Sequence, residues 1–189
     1  WRWRGHFVAR LCGMGIPMGL QYSITAIGSV ILQTAVNGLG SVVVASMTAG
    51  GKLSMFFCCP FDAFGSTMAT YAGQNLGAGK LDRVTKGMVQ CSFVAAGYSV
   101  VAAVVMILFG KSFALLFVDS TEVEIIANVA KLLIINSLFF IPLALVNIIR
   151  FAIQGLGFGK LAIFAGVAEM VGRSIVGFGF VARFGFVAA

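Results

Sequence analysis

The sequence predicts an all-α membrane protein that crosses the bilayer about five times. Hydrophobic residues fill 60% of its 189 positions, and the mean hydropathy is +1.03. Charged residues make up only 10%, against about 25% in an ordinary soluble domain. A soluble fold of this size has too little interior for so many apolar side chains. The charges are also segregated: they fall in short segments between apolar runs long enough to span a membrane. A net charge of +7 could point to nucleic acid, but such binders gather basic and aromatic residues on one surface. Basic segments between apolar runs are instead a topological signal, so nucleic acid is excluded as a partner and the lipid bilayer is implied.

Residues 1–13 form a first unit, an interfacial segment in which WRWRGHFVAR mixes aromatic rings with arginine. Aromatic rings suit headgroup depth and Arg the adjoining water. His6 reads as a solvated loop histidine. The chain begins with Trp rather than Met and shows no signal-peptide pattern, so its true start is expected upstream. Residues 14–189 form the membrane unit, with spans expected at 14–38, 45–71, 87–109, 125–149 and 161–185.

Pro17 sits near the start of the first span, where a missing N–H costs little. Tyr22, Thr25, Ser29, Gln33 and Asn37 recur at spacings of three or four, along one flank of that helix. Such a stripe lines a cavity or hydrogen-bonds a neighbouring helix. In the second span Pro60 predicts a kink. Asp62 follows near the bilayer midplane, where an ionised carboxylate needs a partner or water, and is a candidate functional acid. The third span reads as scaffold.

In the next connection Thr121 and Glu124 have capping-box spacing. The fourth span holds the amides Asn136 and Asn147, with a second kink expected at Pro142. The fifth holds Glu169 and Arg173, four apart on one face, with Gly166 and Gly177 extending a small, polar stripe. The pair either locks this helix to another or contacts substrate or ion. Cys12, Cys58, Cys59 and Cys91 show neither CxxC nor metal spacing and read as small apolar side chains. No metal site or cofactor is indicated.

The longest stretch that is not apolar, GQNLGAGKLDRVTK at residues 73–86, joins the second and third spans. It is not a Walker A loop, because Leu81 follows Gly79-Lys80 where Ser or Thr is required. It is not GxGxxG, since Gly77 and Gly79 lead to Asp82, and HExxH and GxSxG are absent, so nothing supports an enzyme. Its glycines permit a tight reversal, and Gln74 and Asn75 are expected to cap helix ends. Arg2, Arg4, Arg10, Lys80, Arg83, Lys86, Arg150 and Lys160 fall on one side of the membrane and Lys111 on the other, with Arg183 a minor exception. That bias puts the N-terminal end in the cytoplasm.

Five stretches in order resemble the C-terminal lobe of multidrug and toxic compound extrusion (MATE) transporters, bacterial members above all. GIPMGLQYSITAIGSVILQTAVNGLG is similar to the opening helix of that lobe, and VASMTAGGKLSMFFCCP to the start of the next. GQNLGAGKLDRVTKG resembles the loop before the third helix, and RFAIQGLGFGK the loop after the fourth. AEMVGR resembles the Glu-x-x-x-Arg of the following helix. The resemblance covers nearly the whole chain. It implies helices seven to eleven of a twelve-helix transporter with two six-helix lobes, so that the N-terminal lobe would be the chain's partner. The implied activity is export of amphipathic or cationic compounds across the plasma membrane, coupled to Na⁺ or H⁺ influx. This piece alone is expected to be inactive.

Some members place a coupling acid in the first helix of this lobe, where Gln21 and Thr25 are neutral. Others place it in the first helix of the N-terminal lobe, so the coupling site stays open. Within this chain Asp62 and Glu169 are the carboxylates that could serve, with Gln21, Tyr22, Thr25, Ser29, Gln33, Asn37 and Arg173 as further cavity or coupling candidates. Two alternatives stand beside this. A lipid-linked oligosaccharide flippase of the same superfamily would need a strongly basic cavity, and a membrane scaffold would need none.

Overall fold

The structure, a computed structural model, describes residues 5–181. Arg2, Arg4, Arg183 and the expected end of the fifth span at 182–185 lie outside the described residues. The described chain is helical in the order α1 (Gly5–Asn37), α2 (Ser41–Gly77), α3 (Leu81–Ala114), α4 (Val123–Leu138), α5 (Phe140–Gly155) and α6 (Gly159–Ile175). A π-helical turn, Val176–Val181, continues α6. Four helices are individually long and apolar enough to cross a membrane, and α4 and α5 qualify together as one broken span bent by 54°.

The break has a local cause. A proline ring clashes with the carbonyl four residues back, and four residues before Pro142 is Leu138, the last residue of α4. Ser137 loosens the same turn by donating to the Ile134 carbonyl at 2.7 Å. The Phe139 N–H closes a tighter bond to the Asn136 carbonyl at 3.0 Å. Pro60 acts differently from Pro142, for α2 runs unbroken through it.

Packing lays the broken pair along a single helix, α2. Gly50 approaches Leu132, Asn136 bonds Ser54, Gly65 faces the Phe151 ring and Gly73 approaches the Gly155 carbonyl. Numbers rise together on both sides, so α4 and α5 run parallel to α2 along its length. By the same reasoning α6 runs parallel to α1: Gly159 lies near Met14 and Pro17, Gly166 against Gln21, and Gly177 against Leu32 and Ala35. α3 runs antiparallel to α2, with Gly87 against Tyr71 and the Tyr98 hydroxyl donating to the Phe57 carbonyl at 3.0 Å. The core lies between α2, α3, α4 and α5, where Phe61 meets Phe140 and Tyr98 edge-on, each at 5.4 Å. Small residues such as Ala95, Ala102, Ala144 and Ala152 are buried, as membrane helix contacts require. Phe56, Phe93 and Leu108 stand exposed on the outside.

Several expectations are corrected here. The first helix begins at Gly5, so Pro17 is interior and exposed His6 is helical rather than in a loop. The turn expected at 73–86 shrinks to residues 78–80, because a Schellman closure suffices. The Gly79 N–H bonds the Leu76 carbonyl at 3.0 Å and the Lys80 N–H the Asn75 carbonyl at 2.9 Å, with Gly79 at φ 70°. Asn75 thus caps through its carbonyl, while its side chain donates to Tyr71 within the helix. Gly157, at φ 96°, closes the α5–α6 turn in the same way.

The capping box does not form either. Thr121 donates its N–H and hydroxyl to Asp119 instead, at 3.2 and 3.3 Å. Those bonds, the backbone one foremost, hold the exposed Asp119 carboxyl below its ordinary range. Of the four free cysteines, Cys58 and Cys91 are half-buried, whereas Cys12 and Cys59 are exposed rather than packed.

Candidate functional site

Several of the described polar groups within the spans gather in two clusters, one between α1 and α6 and one between α2 and α5, on either side of the seam where the two pairs meet. Glu169 and Arg173 are paired on α6 at 2.7 Å. Thr25 donates its hydroxyl to the other Glu169 oxygen at 3.3 Å. Arg173 also donates to the Ser29 hydroxyl at 2.6 Å, which in turn donates to the Thr25 carbonyl. The pair is about one-third open, with 33% exposure at Glu169 and 36% at Arg173. Glycine allows this approach: a Cβ on Gly28 would stand 3.0 Å from the Met170 Cα, and one on Gly166 3.0 Å from the Gln21 Cγ.

One turn before Thr25, Gln21 is 2% exposed and accepts from the Gln154 amide at 2.8 Å. That bond ties α1 to α5. Gln154 continues a second polar row along α5, at spacings of three and four from Asn147 and Arg150. Arg150 donates to the Asn147 side-chain oxygen at 2.7 Å, and the Asn147 amide reaches Asp62 on α2 at 3.4 Å. Asp62 itself is exposed. The two carboxylates therefore sit in separate clusters, with the Gln21–Gln154 bond between them.

The expected stripe on α1 divides. Thr25 and Ser29 face α6, whereas Tyr22 is exposed and Gln33 bonds Asn37 on its own exposed helix face at 3.0 Å. At 3.6 residues per turn, a row of every fourth residue drifts by about 40° per step. Gln21, Thr25 and Ser29 stay on the seam, and Gln33 and Asn37 rotate off it. Gln154 and Arg150 are the participants that sequence reasoning missed, because both stood at the edge of a glycine turn and read as loop. The spacing of Asn147, Arg150 and Gln154 was the available signal.

Beside the seam a cleft of about 560 Å³ opens between the first half of α1 and the end of α2. Leu11, Met14 and Met18 make it apolar, with Thr70, Gln74 and Gln154 as its polar lining. Its volume is that of a small-molecule pocket, about 300–1,000 Å³. No group of three or more His, Cys, Asp or Glu with metal-holding geometry occurs among the described residues.

A bundle of helices long and apolar enough to cross a membrane, with parallel helix pairs, polar clusters and an apolar cleft, defines a multi-pass membrane protein. The chain belongs to the MatE family, whose family model matches residues 17–178. It is also similar to a probable multidrug resistance protein, YpnP, of Bacillus subtilis (strain 168), with 28% identity over 114 residues. That match covers 60% of this chain and 26% of the relative, so the chain spans well under two thirds of that relative's length. No solved structure matches the chain.

Proposed function

We propose that the chain forms most of one lobe of a secondary active antiporter that exports amphipathic or cationic compounds in exchange for Na⁺ or H⁺. A second lobe of the same transporter would complete the central cavity, in the plasma membrane. The observation that carries this reading is the Thr25–Glu169–Arg173–Ser29 cluster. Ionisable groups within a membrane span are expensive to place, and they mark ion or substrate pathways by default. Family membership and the relative's description as a multidrug resistance protein support the same reading.

The chemistry follows from the bonds. Glu169 is held by one hydroxyl and one guanidinium and is one-third open. A proton or Na⁺ arriving there neutralises the carboxylate and weakens its charge-assisted bond to Arg173. The Thr25 hydroxyl is then held less tightly, and Arg173 is no longer anchored for its bond to Ser29, which loosens the α1–α6 contact. Asp62, tied to Asn147, is the alternative acid. The apolar cleft wall with amide groups suits loosely held amphiphiles better than the strongly basic cavity a pyrophosphate-lipid flippase needs.

The test is drug efflux driven by an imposed ion gradient, in vesicles bearing the full-length protein. Glu169→Gln is expected to lower coupled efflux roughly tenfold or more, the scale of one lost bond to a charged group. Coupled efflux retained in both Glu169→Gln and Asp62→Asn overturns the proposal.

A further inference from the structure

Arg150 has a setting that the transport reading does not use. It lines a crevice of about 220 Å³ between α5 and α6, whose other walls are Val146, Ile149, Ile153, Leu161 and Ala165. One side of its guanidinium is fixed. Nη2 donates to Asn147 at 2.7 Å, and the group stands 5.4 Å from the Phe151 ring centre. Its enclosed Nε has no acceptor, and no carboxylate lies within salt-bridge distance of it among the described residues. An arginine oriented by neutral groups in an apolar crevice lacks a counter-anion.

The position specifies what kind of anion fits. Arg150 lies little more than one turn from the end of α5, within reach of headgroup depth for a snorkelling side chain. Lys160 stands in the first turn of α6, and Lys80 with Arg83 and Lys86 at the start of α3 lie at the same end of the bundle, since Gly73 and Gly155 meet there. The remaining lining residues offer only apolar side chains to whatever lies behind the anion. Basic pockets between membrane helices recognise acidic lipid headgroups.

We infer that the α5–α6 crevice binds an anionic phospholipid, its phosphate on Arg150 and the upper part of one acyl chain between Ile149 and Leu161. This assignment stands whether or not the chain transports drugs.

The experiment uses the full protein in detergent, with bound lipid counted by native mass spectrometry against phosphatidylglycerol, phosphatidylcholine or inorganic phosphate. Phosphatidylglycerol is expected to be retained about fivefold over phosphatidylcholine, the factor associated with one basic residue at an acidic lipid surface. Arg150→Gln should abolish that preference, and Arg150→Lys should keep part of it. Ile149→Trp, which fills the crevice and leaves the charge, should release the lipid, while Lys111→Gln, at the opposite end of the bundle, should change nothing. Equal retention of the two lipids by the wild type overturns the assignment, as does a preference surviving Arg150→Gln. An equal loss in Lys111→Gln, or displacement by inorganic phosphate alone, does the same.

Discussion

Glycine sets the closest approach between helices in this bundle, and the sites differ in what a methyl group would meet. A Cβ on Gly155 would run into the Ala69 backbone, its Cα at 2.7 Å and its carbonyl oxygen nearer still. Backbone cannot swing aside as a side chain can. At Gly97, a Cβ would meet nothing within 4 Å. Gly155→Ala should therefore force α5 from α2 and destabilise by about 1–3 kcal/mol, the range for overpacking. Gly97→Ala should be neutral or stabilising by up to about 1 kcal/mol, through helix propensity alone. Thermal unfolding in detergent compares the two directly, and an equal effect would refute the packing argument. The same reasoning explains the α1–α6 pair, where Gly28 and Gly166 bring Glu169 within reach of Thr25.

At the scale of the element, hydropathy makes the spans legible, because the bilayer demands length and apolarity that nothing else in the chain supplies. Helix ends are less legible. Turns closed by a single left-handed glycine, as at Gly79 and Gly157, need so few residues that polar flanks such as Gln74 and Asp82 stay helical. Glu169 with Arg173 is readable as a pair, since both lie on one helix. Gln21 with Gln154 is not, because helices far apart in sequence build that contact. The two mid-span prolines are indistinguishable in sequence: α2 runs unbroken through Pro60 even with Ser66 donating to the Ala63 carbonyl, whereas the helix breaks before Pro142. Pro142→Ala restores an N–H able to reach the Leu138 carbonyl. It should reduce the 54° bend, read as a longer distance between spin labels at Lys131 and Phe158. An unchanged distance would place the cause in tertiary packing.

For the molecule as a whole, parallel pairing constrains topology. If α6 runs with α1, and α4 with α5 runs with α2, successive spans alternate in direction and both ends of the seam have a defined side. One side gathers Lys80, Arg83, Lys86, Arg150 and Lys160 against Asp82. The other holds three, Lys52, Lys111 and Lys131, of which only Lys111 adjoins the connection at residues 115–122. Basic residues near short connections are retained in the cytoplasm, whereas acids contribute little. The α2–α3 and α5–α6 turns are therefore predicted to be cytoplasmic, and the 115–122 loop external. The four cysteines must first be replaced by Ser. A membrane-impermeant thiol reagent should then label Ser120→Cys in intact cells, and Ala78→Cys only after permeabilisation. The reverse pattern inverts the orientation. Labelling of both in intact cells would mean that α3 does not cross, and the alternation derived from the parallel pairs would fall with it.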